Sequence, residues 1–216
     1  MTPVRALIFD FNGTLSQDEP ILCATYQAIF AEQGRPLEAG EYYAKLAGNT
    51  EEAIISSWLG VAGRELEHLI AERVRRYVEA AANGATILPT TRCAVRRASR
   101  RVPLAVCSGA YREEITPVLE GAGIARLFRV VVTADDVQLG KPHPEGYLRA
   151  TALLGDGLDP AQVVAFEDTE AGVAAAKAAG LHCVAVRGTM SDSRLWRADE
   201  LVDAIDADLV ERLLGP

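Results

Sequence analysis

Four polar features interrupt otherwise apolar strand ends, and each carries residue types that handle phosphate or metal: Asp10-x-Asn12-Gly13-Thr14, Ser108-Gly109, Lys141-Pro142 and Glu167-Asp168. Asp10, Glu167 and Asp168 are carboxylates that repel one another if brought together, unless a cation neutralises them. A hard divalent ion with oxygen ligands meets that need, and magnesium is the usual choice where phosphate is also bound. Lys141 places positive charge beside Asp10, holding it ionised and screening an incoming anion. Ser108, with the amides near Gly109 and Ala110, offers donors at a helix start, a natural phosphate cradle. Gly13 lets the backbone approach closely, and Thr14 can donate to a substrate or orient the loop. A metal-neutralised carboxylate facing a phosphate cradle points to nucleophilic catalysis on phosphorus, through a covalent aspartyl phosphate that water then hydrolyses.

Taken singly each feature has a plainer reading: Asp10 capping a turn, Ser108 capping the helix that begins at Ala110, Lys141 solvated in a loop. What argues against those readings is placement. VRALIFD is a short apolar run that ends at Asn12-Gly13, a buried strand entering a tight loop. Strands are also expected at Leu104 to Cys107, Arg129 to Thr133, Val163 to Phe166 and His182 to Val186. They alternate with helices at Arg92 to Arg101, Tyr111 to Glu120, Glu145 to Leu154, Gly172 to Ala179 and Leu209 to Leu214. That alternation predicts an α/β fold with a Rossmann-like, mostly parallel sheet covered on both faces. In such a sheet the strand ends carrying the four features converge on one crevice.

Between the first strand and the rest, Asp18 to Ala82 shows no strand. Helical spacing appears around Ile21 to Phe30, at Glu41 to Leu46, at Glu51 to Leu59 and at Arg64 to Ala82. Leu66, Leu69, Ile70, Val74 and Tyr77 fall on one side of the last of these. An excursion of about 65 residues is too long for a connection, so it forms a domain of its own. The expected division is a core of residues 1–15 and 83–216 with an inserted all-helical cap over 16–82, and Asn83-Gly84 as the return hinge.

The chain has 216 residues with a formal charge of −8, so a broad nucleic-acid footprint is not expected. No apolar run reaches membrane-spanning length, and the chain reads as cytoplasmic, without a membrane partner, as a monomer or weak homodimer. The four cysteines, Cys23, Cys93, Cys107 and Cys183, read as buried free thiols, and three histidines leave little material for a zinc site. Arg92, Arg96 and Arg100 share a helix face, read as solvated, with Arg97 and Arg101 beside them.

DFNGTL, CSGAYR, GKPHPEGY and FEDTEAGVAAAKAAG resemble, in order, the four signature motifs of the haloacid-dehalogenase-like superfamily. The resemblance is closest to the branch holding β-phosphoglucomutase and phosphoglycolate phosphatase, whose helical cap follows the first motif, and it covers nearly the whole chain. It implies Asp10 as nucleophile and magnesium ligand, Ser108 and Lys141 on the phosphoryl group, and Asp168 as a second ligand assisted by Glu167. The backbone carbonyl of Asn12 completes the protein ligands. Relatives in this branch usually carry aspartate at position 12 as acid and base. Asparagine cannot exchange a proton, a loss worth roughly 10²–10⁴ in rate. Three readings stay open: another base with a good leaving group, an altered chemistry, or an inactive form, natural or engineered.

Dehalogenase chemistry is disfavoured by the acidic Glu167-Asp168 pair, and Schiff-base chemistry by Glu51 near the cap turn where a lysine is needed. Mutase chemistry is disfavoured by Leu22, near where an early cap histidine belongs. The expectation is therefore a magnesium-dependent hydrolase of a small phosphorylated metabolite. Its second class is a non-catalytic phosphate-ligand protein on the same scaffold, favoured by Asn12 alone. In the cap, Glu19, Lys45 and Asn49 are the specificity candidates, and Arg112, four residues past Ser108, can reach a second anionic group. Their plainer readings are a helix-start carboxylate for Glu19, a solvated side chain for Lys45 and a helix-face ion pair for Arg112.

Overall fold

A computed structural model describes residues 3–215. Six strands form one sheet: β1 (Ala6–Phe9), β2 (Leu104–Cys107), β3 (Val130–Val132), β4 (Val163–Glu167), β5 (His182–Val186) and β6 (Glu200–Val202). Their order is β3-β2-β1-β4-β5-β6, and every neighbouring pair is parallel. β1 is central and its side chains are buried throughout, as its unbroken apolar run requires. Alternate residues serve the two faces. Leu7, Phe9, Leu104, Val106, Val164 and Phe166 enter one apolar cluster, while Ala6, Ile8, Ala105, Val163 and Ala165 enter the other.

Helices cover both faces. α5 (Pro89–Ala98), α6 (Arg112–Gly121) and α9 (Ala207–Leu214) lie on the first. α7 (Glu145–Leu154) and α8 (Glu170–Ala178) lie on the second, and Gly146 lets α7 approach β2, since a Cβ there would sit 2.9 Å from Cys107 Sγ. The cap, inserted after β1, is entirely helical: α1 (Glu19–Glu32), α2 (Ala39–Glu41) running into a π-helical turn (Tyr42–Leu46), α3 (Glu51–Leu59) and α4 (Arg64–Ala81). Thr50 caps α3 by accepting from Ala53 N, and Gly60 ends it in the left-handed conformation. Tyr26, Phe30, Tyr42, Ile54, Leu69 and Tyr77 form the cap's interior, continuous with the apolar cluster on the first face of the sheet.

The mixed α/β architecture with a parallel sheet and a helical cap is as the alternation predicts, with several local differences. β6 was not expected: Glu200–Val202 is a three-residue edge strand in polar surroundings, too short to show a period. β3 is shorter than Arg129 to Thr133, and α5 starts at Pro89, a first-turn position that proline favours. α6 begins at Arg112 with Tyr111 as its N-cap, so Ser108 does not cap it. Arg97 and Arg101 of the basic run both pair with Glu211 of α9 on the surface. Cys23, Cys107 and Cys183 are buried free thiols, but Cys93 is exposed. No helix among the described residues is long and apolar enough to cross a membrane.

The return from cap to core runs through Gly84, at φ 71°. A Cβ there would lie 2.1 Å from Ala122 N, and one on Gly121 would lie 2.2 Å from Ala82 O. Two backbones therefore meet where two side chains are missing, at the C-terminal end of α6.

Candidate active site

The sheet order sets the site. β1 has β2 on one side and β4 on the other, with Phe9 level with Val106 and with Phe166. The next residue of each strand therefore opens into one crevice, which places Asp10 beside Cys107 and Glu167. Asp10 N donates to Phe166 O (2.9 Å), which fixes the turn out of β1.

Lys141 Nζ donates to Asp10 Oδ1 and to Glu167 Oε1. Tyr147 Oη donates to the same Glu167 oxygen (2.7 Å), while Glu167 Oε2 accepts from Asp168 N (3.1 Å). Glu167 is fully buried and its carboxylate lies against α8, where a Cβ on Gly172 would sit 2.0 Å away. Asp168 is also fully buried. Its Oδ1 accepts from Thr14 Oγ1 (2.9 Å), and its Oδ2 has no hydrogen-bond partner among the described residues. A Cβ on Gly13 would lie 2.0 Å from that oxygen, so only glycine fits there.

Burial pushes the Asp10 carboxyl up to about 7; Lys141 opposes the rise and Glu167 adds to it. Asp168 is raised well above the usual carboxylate range, by burial first and then by the charges of Asp10 and Glu167. Burial alone would lower Lys141, but its two carboxylate partners hold it well above the ordinary lysine value. The geometry fits a hard cation. Asp10, Glu167 and Asp168 each offer an oxygen within 4.8 Å of the others, one oxygen is buried without a partner, and the donor set is all oxygen.

Above this cluster a cavity of about 390 Å³ lies between core and cap. Asp10, Asn12, Ser108, Gly109 and Lys141 line its core end, and Glu19, Leu22 and Asn49 its cap end, so seven of the residues picked out in the sequence as catalytic or substrate-binding share one space. Ser108 Oγ accepts from Ala110 N (3.1 Å), which occupies one of the amides assigned to the phosphate cradle and leaves that of Gly109. Thr14 faces Asp168 and does not line the cavity. Lys45 and Arg112 also stand outside it: Lys45 is exposed and paired with Glu41 (2.8 Å), and Arg112 donates to Val131 O and pairs with Asp136.

Position 12 requires a correction. The sequence led to a function defined by the loss of a carboxylate there, with an inactive ligand-binding scaffold as the second reading. The acidic cluster is instead intact, made by Asp10, Glu167 and Asp168, and Asn12 is not one of its members. The Asn12 amide Nδ2 donates to Asp18 Oδ2 (3.1 Å) and to Tyr77 Oη (3.5 Å), in a network where Gly13 N and Tyr77 Oη also donate to Asp18.

Sequence reasoning missed the residues that build the cap end. Arg73 of α4 is 2 % exposed and lines the cavity, paired with Glu51 of α3 (3.1 Å) and with Glu114 of α6. Tyr26 and Tyr42 line it too, and Tyr42 Oη donates to Glu19 (2.9 Å). Burial pushes Glu19 and Glu51 up to about 7. The available signal was positional: Arg73 lies four residues after Leu69 and four before Tyr77, on the apolar side of α4.

Residues 4–180 match the haloacid dehalogenase-like hydrolase family. Validoxylamine A 7'-phosphate phosphatase of Streptomyces hygroscopicus subsp. limoneus is 32% identical over 208 residues, covering 92% of each chain. Protein CbbY of Rhodobacter capsulatus is 32% identical over 215 residues, covering 92% of this chain and 94% of that one. Among solved structures, CbbY from Rhodobacter sphaeroides in complex with xylulose-(1,5)bisphosphate superposes with a TM-score of 0.84 at 26% identity, covering 95% of this chain and 96% of that one. With the motif residues gathered at the ends of β1, β2 and β4 beneath a helical cap, the chain belongs to the haloacid dehalogenase-like hydrolases, in the capped branch of β-phosphoglucomutase and phosphoglycolate phosphatase.

Proposed function

We propose that the chain is a magnesium-dependent phosphohydrolase that acts on a small phosphorylated metabolite, with Asp10 as the nucleophile. The observation that carries this is the buried Asp10–Lys141–Glu167–Asp168 cluster at the floor of the cavity, with one Asp168 oxygen unpartnered. Its relatives include a phosphatase named for a phosphate ester, validoxylamine A 7'-phosphate.

In this reading an Asp10 carboxylate oxygen forms a bond to phosphorus as the bond from phosphorus to the leaving oxygen breaks, and the leaving oxygen takes a proton from water. Water then attacks the acyl phosphate, releasing inorganic phosphate and restoring Asp10. Lys141 neutralises charge beside the nucleophile, and Ser108 with Gly109 N receives the phosphoryl oxygens. Asp10, Asp168 and the carbonyl of Asn12 would hold magnesium, which when bound would supply positive charge to the phosphoryl oxygens. Glu167 assists by holding Lys141 in place, and Thr14 by orienting Asp168. The cap, which we assign to residues 16–82, closes the cavity from bulk water, with Glu19 and Asn49 on its inner surface. Lys45 and Arg112 keep no direct part in this scheme.

The test is phosphate release from 4-nitrophenyl phosphate with magnesium present. Turnover should fall by roughly 10⁴-fold or more in Asp10→Asn, the scale seen when a nucleophile is removed. Beryllofluoride or a reactive ester, followed by peptide mapping, should place the adduct on Asp10. Turnover that survives the substitution, or an adduct elsewhere, overturns the mechanism.

A further inference from the structure

We infer that the cap end of the cavity selects a polyhydroxylated leaving group that carries no second phosphate. This rests on the reading above, in which Asp10, Ser108 and Lys141 take the scissile phosphate at the core end.

The argument begins with charge. Among the described residues lining the cavity, the only lysine and arginine are Lys141 and Arg73, and each already faces two carboxylates. Lys141 serves Asp10 and Glu167, and Arg73 serves Glu51 and Glu114. The cap-side lining adds Glu19 and Glu52 with no further cation to offset them. A second phosphate placed there would meet acidic side chains and an arginine already neutralised, at a depth where bulk solvent screens poorly. Lys45 and Arg112, the cations proposed from the sequence for substrate binding, are turned to Glu41 and Asp136 outside the cavity.

Hydrogen-bonding capacity points the same way. Arg73 and Tyr26 line the cavity, and Arg73 Nε and the Tyr26 hydroxyl are buried with no hydrogen-bond partner among the described residues. A buried donor without a partner is unfavourable, so both gain from a ligand that reaches them and accepts. Glu19 and Glu51, which line the same cavity, can accept from a ligand that donates. A hydroxyl group does both at once, whereas phosphate oxygens only accept. The cavity volume of about 390 Å³ is ample for a monophosphate of sugar or cyclitol size. The solved relative in complex with xylulose-(1,5)bisphosphate marks the contrast: that ligand carries two phosphates, and in this reading the cavity receives a phosphate at its core end alone.

The test uses a matched pair, fructose 6-phosphate and fructose 1,6-bisphosphate, titrated by calorimetry into the Asp10→Asn chain with magnesium present. Binding is read without turnover, so the result stands apart from the 4-nitrophenyl phosphate assay that decides the mechanism. The monophosphate should bind at least tenfold tighter. Glu19→Gln, which removes one carboxylate charge from the cap wall, should narrow that ratio severalfold. Tyr26→Phe should lower affinity for fructose 6-phosphate about fivefold relative to inorganic phosphate. Bisphosphate binding equal to or tighter than that of the monophosphate, or no binding of either at millimolar concentration, overturns the inference.

Discussion

The molecule buries two charged clusters, and they differ in origin. The one on the core floor, Asp10 with Lys141, Glu167 and Asp168, comes from strand ends that the sheet itself aligns. The one between cap and core, Arg73 with Glu51 and Glu114, comes from three different helices. The first has an excess of carboxylate and an unpartnered oxygen, so it is incomplete without a cation. The second sets one arginine between two carboxylates and so lies nearer charge balance. A cluster with three carboxylates around one lysine is built to receive a cation, whereas ion pairs that join three helices hold a shape.

The sharpest way to break this comparison is to remove the cation the cap supplies. Arg73→Met leaves Glu51 and Glu114 buried without a partner, which should cost about 3–5 kcal/mol in urea unfolding. Adding Glu51→Gln and Glu114→Gln should recover most of it. A loss below about 1 kcal/mol for Arg73→Met alone would show that Arg73 is not what neutralises the two carboxylates.

Next in size is the cation the core lacks. Magnesium at about a hundred times its dissociation constant should stabilise the unaltered protein by about 2.7 kcal/mol, and Asp168→Asn should abolish that gain. In metal-free buffer the same substitution should stabilise the fold, because it removes one of the crowded carboxylates. A variant that keeps the magnesium effect would place the cation elsewhere.

The smallest effect concerns Glu19, whose carboxyl is raised from an unfolded value near 4.5 to about 7. The folded protein then binds more protons than the unfolded chain between those values. Its stability falls as pH rises through that window, and the penalty is complete above about 7. Glu19→Gln removes that titration while still accepting from Tyr42. It should flatten the slope and add on the order of 1 kcal/mol at pH 8, after discounting for the solvent that reaches a half-buried group. An unchanged pH profile would mean that Glu19 stays ionised in the fold.

The same contrast explains what the sequence disclosed. Asp10, Ser108, Lys141 and Glu167-Asp168 are legible because each follows a run of strand formers or the loop just after one, and a parallel sheet has only one end at which such residues can meet. Gly13 is legible as a turn, yet the reason for it, the Asp168 oxygen that excludes any Cβ, lies 155 positions away and needs the fold. Arg73 and Asp18 were passed over because a charged residue on a helix or at its start is ordinarily solvated. Only the packing of α1, α4 and α6 buries them. Reading position 12 from a motif alone misled for a related reason. The motif names the residue that belongs there, whereas the fold shows that the Asn12 amide is engaged by Asp18 and Tyr77.

One feature of α6 also sets how the two lobes can move. Near its start Glu114 grips Arg73 of the cap, and at its end Gly121 lies flush with Gly84 of the return strand of chain. Seven residues of helix separate the two points, roughly 10 Å, so the cap is fastened along an axle and not at a single joint. Opposite that axle the 48–50 turn of the cap lies close to the core: a Cβ on Gly48 would sit 3.1 Å from Met190 and 3.2 Å from Thr169, and one on Gly140 would sit 3.8 Å from Thr50. A cap motion that kept both the buried ion pair and the Gly84–Gly121 contact would have to turn about α6.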